Sequence, residues 1–242
     1  VLRYRLGVPD LPHTWMRGNG HHFLFNIFPP LHLSAEGPPR DIVFALDGSD
    51  NLKDGRFERV ARGVEAALRQ LAPEDRFSLV TLGRTIDGFR GGDFYSLDQL
   101  EQAVDWLAEV KPTGRADILP LLERIETLPR DRERQLCVFL VAGGHVGNEP
   151  SVLKSIDFAQ SEVRFFTLAV GSSANLSFLR RVALLTRGEF AVAPQEECEE
   201  PLLALLGQTR TLLSQVELEG RENGPELTEL APSVLGCLSP RG

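Results

Sequence analysis

Positions 41–51 read DIVFALDGSDN, in which an apolar run delivers a carboxylate, Asp47, and two places on a hydroxyl, Ser49, with Gly48 between them. Three kinds of chemistry use such a delivery at the end of a strand: a hard-oxygen metal ligand, a nucleophile, or a side-chain cap for the turn that follows. Drawn as a nucleophile, Ser49 would join His145 and Asp47 in a hydrolytic triad. Spacing in sequence does not establish that geometry, and a loop histidine is more often simply polar. His21 and His22 are adjacent, so on a strand they face opposite sides and make a poor chelate. GxSxG, GxxxxGK[ST] and GxGxxG motifs are all missing.

The bulk numbers narrow the classes. The 242 residues are 42% hydrophobic and 25% charged, which is ordinary for a globular chain. The formal net charge of −8 has its acids and bases interleaved, which argues against nucleic acid or an anionic membrane as the main partner. Cys137 lies in the apolar run QLCVFLVA and reads as a small buried hydrophobe, and Cys198 and Cys237 are far apart in sequence. No CxxC or His/Cys spacing suggests zinc, and a disulfide framework is not supported. No apolar run approaches the ~20 residues of a membrane span, so membrane insertion is not expected. The chain opens on VLRYRLGV and reads as a soluble segment of a longer polypeptide, with its compartment left open.

The elements that must position Asp47 and Ser49 follow from periodicity. DIVFALD (41–47) is an apolar strand with little alternation, as when both faces are covered. Residues 56–71 keep the spacing of one buried helical face through Phe57, Val60, Val64, Leu68 and Leu71. RFSLVTLG (76–83) is a strand, and IDGF a short further one. Ser96-Leu-Asp-Gln99 has the pattern of a capping box opening the next helix, and 118–128 is another helix. CVFLVAGG (137–144), a helix near 150–160, VRFFTLAVG (163–171), a helix over 175–186, GEFAVAP and a helix over 197–213 complete the series. Strand and helix in such alternation imply right-handed crossovers and a mainly parallel sheet covered on both faces. Residues 1–40 differ, because VLRYRLGV and HHFLFNIF read as strands joined by a Gly/His/Pro-rich connection. The C-terminal flank, 215–242, reads as one strand and a tail.

Ligands of an open α/β sheet bind outside the carboxyl ends of its strands. Three loops occupy that rim: Asp47–Asn51, Thr113–Asp117 and Ala142–Asn148. These loops and their neighbours resemble a von Willebrand factor A (vWA) domain. The resemblance rests on DIVFALDGSDN, on GRADILPLL at the second loop, on VFLVAGGHVGNE at the third, and on VRFFTLAVGSSANLSFLRRVALLTRGEF. HHFLFNIFPP and PPRDIVF are similar to the junction with an inter-α-trypsin-inhibitor-type (VIT) domain, found in bacterial surface proteins and inter-α-trypsin inhibitor heavy chains. The resemblance implies an α/β, Rossmann-like sandwich over 41–214, preceded by the end of a VIT-like module over 1–40. It also implies a non-enzymatic protein–protein interaction or adhesion module, or a scaffold for its β flanks, in an extracellular or cell-surface setting if like the bacterial relatives.

The family's metal-ion-dependent adhesion site (MIDAS) holds Mg²⁺ with an Asp-x-Ser-x-Ser loop, a second-loop Thr and a third-loop Asp, leaving one position for a partner's carboxylate. Carried over, Asp47 and Ser49 match, Asn51 stands for the second Ser, Ala116 for the Thr and Gly143 for the third-loop Asp. Two of the five positions then lack any side-chain oxygen, so the resemblance implies a degenerate site with no metal or cofactor. Asp50 and Asp117 each neighbour a lost ligand, but Asp117 precedes Ile118-Leu119-Pro120 and suits a helix cap. The candidate interaction rim is Asp50, Arg115, Asp117, His145 and Asn148. Two alternatives stand beside this reading: Mg²⁺ held through substituted ligands, and a hydrolase using the Asp47/Ser49 loop. DGSDN also resembles the DxDxT loop of haloacid-dehalogenase-like phosphatases, which requires an Asp where Ser49 sits and an acidic pair that GGHVGNE lacks.

Overall fold

The computed structural model describes residues 13–18, 23–28, 37–83, 85–129, 131–144, 149–155 and 163–210. Ahead of the main sheet, β1 (His13–Gly18) and β2 (Phe23–Phe28) form an antiparallel pair with Gly18 opposite Phe23. The first strand of this pair is therefore HTWMRG, a stretch the sequence reading assigned to a connection, while VLRYRLGV lies outside the described residues. Thr14, Trp15 and Met16 are strand-competent, with a β-branched and an aromatic residue among them.

The main unit alternates strands and helices. β3 (Arg40–Asp47) leads through a short 3₁₀ turn, Asp50–Leu52, to α1 (Arg56–Arg69). β4 (Arg76–Leu82), β5 (Ile86–Gly88), α2 (Leu100–Glu109) and α3 (Leu119–Thr127) follow. Then come β6 (Gln135–Ala142), α4 (Glu149–Ser155), β7 (Val163–Val170), α5 (Leu176–Leu185), β8 (Phe190–Ala193) and α6 (Glu199–Gly207). The sheet order is β5-β4-β3-β6-β7-β8, parallel except for the antiparallel edge strand β5. The expected C-terminal strand lies outside the described residues.

Strand alternation divides the core into two layers. Ile42, Phe44 and Leu46 of β3 face the cluster built with α1, α2 and α6, whereas Val43 and Ala45 face α3, α4 and α5. On the first face, Phe44, Phe139 and Phe166 line up across the three central strands with ring centroids 5.1 and 5.2 Å apart. The central strands are thus anchored on both sides, which holds their carboxyl ends in register. The capping box at Ser96 is not formed: the Ser96 hydroxyl bonds the Asp98 carboxylate, and a 3₁₀ turn (Leu97–Gln99) precedes α2. The hydroxyl donates to a nearby carboxylate, and its oxygen accepts from none of the helix's first N–H groups.

At the amino ends of the strands, buried ions tie the unit together. Asp75 accepts from Arg40 Nε at 3.2 Å and from the Arg40 backbone N–H at 2.9 Å. Arg40 Nη1 donates to Thr209 Oγ1 at 2.6 Å, and Arg164 Nη1 donates to the Thr209 carbonyl at 3.0 Å. The strand that opens the unit and the segment that ends its last helix are thereby joined at one pole, opposite the rim. Among the described residues, no helix is long and apolar enough to cross a membrane.

Candidate functional site

The rim begins where β3 ends. Gly48 N–H donates to the Leu82 carbonyl at 2.8 Å, so the chain leaves the sheet still pinned to β4. Asp47 and Ser49 are both fully buried. Asp47 uses one carboxylate oxygen to accept the Ser49 N–H and the other to accept the Gly143 N–H, each at 2.9 Å. One carboxylate therefore fastens its own loop and the third loop together. Ser49 Oγ accepts from the Asn51 backbone N–H at 3.3 Å and from Asn51 Nδ2 at 3.0 Å, capping the 3₁₀ turn.

The first and second loops are also joined. Asp50 N–H donates to the Gly114 carbonyl at 3.0 Å, Gly114 N–H returns a bond to Asp50 Oδ1 at 2.8 Å, and Thr113 N–H donates to the Gly48 carbonyl at 2.7 Å. Lys53 Nζ lies 2.8 Å from Asp50 Oδ1. The Lys53 hydrogen bond first, then the Gly114 backbone N–H, hold the Asp50 carboxyl below its ordinary range. Asp50, which precedes Asn51, is thus turned toward the second loop.

The remaining positions are apolar or empty. Ala116 is buried in the apolar cluster on the α3/α5 face. Asp117 Oδ1 accepts the Leu119 N–H at 3.1 Å and braces the start of α3. Gly143 and Gly144 let the first loop press against the third. A Cβ at 143 would lie 2.4 Å from Leu52 Cδ2, and one at 144 would lie 2.2 Å from Asn51 Nδ2. Leu52, itself fully buried, fills the space that a side chain on residue 143 would need.

These residues do not fit the octahedral oxygen cage that Mg²⁺ demands. Each Asp47 oxygen already accepts a backbone N–H, Ser49 Oγ accepts from Asn51, and positions 116 and 143 bring no side-chain oxygen. Among the described residues, no group of three or more His, Cys, Asp or Glu could hold a metal ion.

Of the five residues expected on the interaction rim, Asp50 and Arg115 are exposed and Asp117 is partly so; His145 and Asn148 lie outside the described residues, as do His21 and His22. Leu52 and Gly144 were missed by sequence reasoning. The signal available for them was a Gly-Gly pair closing an apolar strand, which marks a close backbone approach without saying to what.

With this geometry in view, the chain can be set beside known proteins. A family model described as von Willebrand factor type A domain matches residues 40–192. Von Willebrand factor A domain-containing protein 5B1 of Mus musculus is 24% identical over 247 residues, covering 99% of this chain and 20% of that protein. The chain spans about a fifth of the length of the curated relatives it matches. Among solved structures, a von Willebrand factor type A protein from Catenulispora acidiphila matches with a TM-score of 0.61 at 13% identity, over 76% of this chain and 44% of that one. Proximal thread matrix protein 1 from the mussel byssus, solved with a zinc-occupied MIDAS motif, matches with a TM-score of 0.55 at 19% identity, over 70% of this chain and 45% of that one.

Proposed function

The chain belongs to the von Willebrand factor type A domain family, and on that premise we propose that it is a non-enzymatic protein-interaction module whose partner contact needs no Mg²⁺–carboxylate bridge. Domains of this family generally bind protein partners. One observation carries the metal-free reading: Ala116 and Gly143 bring no side-chain oxygen, while each oxygen of Asp47 already accepts an N–H, from Ser49 and from Gly143. Leu52 supports it by filling the place of a third-loop side chain. The partner then meets exposed polar groups of the rim, Asp50 and Arg115 among them, with Asp117 behind them and His145 and Asn148 on the same loop set in sequence.

A hydrolase built on Ser49 is disfavoured, because Ser49 is fully buried and its hydroxyl accepts from Asn51. In the same reading, 1–40 is the end of a VIT-like module, 41–214 the vWA domain and 215–242 a C-terminal strand and tail. The antiparallel β1–β2 pair ahead of the main sheet and the family match beginning at residue 40 support the first of these boundaries.

The metal question is decided by thermal unfolding in EDTA and across a titration of Mg²⁺ or Mn²⁺. The expected outcome is no saturable rise in Tm, since an ion that binds only the folded state must raise it. A saturable rise that disappears in Asp47→Asn, a variant that keeps the side chain's volume, overturns the reading.

A further inference from the structure

Beside the rim, between the end of α2 and the β4–β5 edge, lies a cleft of about 420 Å³. Thr81 and Thr113 line it together with the side chain of Trp106, and its charged groups are Asp87, Glu109 and Lys111. Trp106 is half-buried, with its ring centroid 6.3 Å from that of Phe89. Asp87 spends one oxygen on the Gly88 N–H at 2.8 Å and keeps the other. Glu109, Lys111 and the Trp106 indole N–H have no hydrogen bond or ion pair with any described residue. Trp106 packs on the core with part of its surface and lines the cleft with the rest, beside a carboxylate, Glu109, that is paired with no described residue.

We propose that this cleft seats a basic side chain, lysine or arginine, presented by a protein partner. The inference rests on the reading that the domain binds a protein, and it is independent of whether the neighbouring loops hold a metal. The sign of the ligand follows from the lining. Among the described lining residues two carboxylates stand against one ammonium, and the face of an indole attracts a cation while repelling an anion. A guanidinium can also donate two parallel hydrogen bonds to one carboxylate, which adds geometric selection to charge. At longer range, a chain of net charge −8 draws basic partners toward it.

The test uses the full chain with ¹⁵N-labelled tryptophan. The Trp15 and Trp106 indole resonances are distinguished by Trp106→Phe, and the probes are the N-acetyl amides of arginine, glutamine and glutamate. The arginine probe should shift the Trp106 resonance saturably and leave Trp15 unmoved. Glu109→Gln and Asp87→Asn should each weaken that response by about tenfold, and Lys111→Glu should strengthen it, a gain that misfolding cannot mimic. An unmoved Trp106 resonance overturns the proposal, and so does an equal response to the glutamine or glutamate probe. Arg84 lies outside the described residues and follows Gly83 in sequence, so Arg84→Ala is titrated in parallel. Binding that appears only in that variant also overturns the proposal, because the chain's own arginine then bars the cleft. Each titration is run in EDTA and in Mg²⁺. A response confined to Mg²⁺ supports the cleft while overturning the metal-free reading, so the two can fail separately.

Discussion

Gly143 shows how one missing Cβ can reshape a site. With no side chain there, Leu52 reaches the backbone of the third loop, and the Gly143 N–H is free to bond Asp47. Gly143→Asp, which would restore the family's residue, should not restore the family's site. It should instead force Leu52 from a fully buried position and cost about 2–3 kcal/mol, as overpacking of a closed core does. Urea denaturation of Gly143→Asp, Leu52→Ala and the pair tests this. Leu52→Ala alone should be destabilising, and the double variant should be clearly more stable than the sum of the two losses, because the second change makes room for the first. Strict additivity would show that Leu52 is not what occupies the space.

At the scale of elements, α1 and α6 touch through Gly63. A Cβ there would lie 2.9 Å from both the Cys198 carbonyl carbon and Leu202 Cδ1. On an open helix face Gly→Ala gains about 1 kcal/mol from propensity. Here the close approach to backbone should reverse the sign, and Gly63→Ala should lose about 1–3 kcal/mol in chemical denaturation. Burial first, then the neighbouring Glu197 carboxylate, push the Cys198 thiol up to about 12, so it is not a thiolate at neutral pH. Alkylation of Cys198 should therefore be slow in the native chain and faster in Gly63→Ala, followed by peptide mass. An unchanged labelling rate with raised stability would mean that α6 shifts freely. Neither the close contact nor the thiol's protection was readable from the helix's apolar stripe, because a stripe names the buried face but not the neighbour's distance. Ser96 makes the converse point. Its capping pattern was legible, and the side chain of Asp98 two residues on took the hydroxyl instead.

For the molecule as a whole, the ions at the base join β3 to the segment that follows α6, and they should set its response to acid. Burial opposes ionisation of Asp75, but the hydrogen bonds and charge of Arg40, with the Ala72 and Arg40 N–H groups, outweigh it and hold the carboxyl below its ordinary value of 3.8. A depressed carboxylate stabilises the fold above its unfolded value, and that contribution is lost as pH falls through the folded value. Unfolding free energy should therefore fall steeply below about pH 4. Asp75→Asn should lose about 3–5 kcal/mol at pH 7, since it leaves Arg40 buried without its counter-charge, and it should flatten the acid dependence. Denaturation at pH 7 and pH 3 measures both. An acid slope unchanged in Asp75→Asn would place the acid-sensitive group elsewhere.

Local chemistry carried much of this protein into view. Short apolar runs rich in β-branched and aromatic residues, such as IVFAL and CVFLVA, fit strands covered on both faces, and the amphipathic stretches between them fit crossover helices, so the α/β layers and the rim were legible from pattern. The changes at Ala116 and Gly143 were equally legible, since a residue type states which atoms it lacks. What takes the place of the missing groups is a matter of distance between segments remote in sequence. Asp47 meets an N–H 96 residues away, and Leu52 lies against that same residue. The cleft at Trp106 likewise arises only when the end of α2 is laid beside β4 and β5. Periodicity is a property of one segment, whereas a filled or open space belongs to several at once, and only their packing decides which it is.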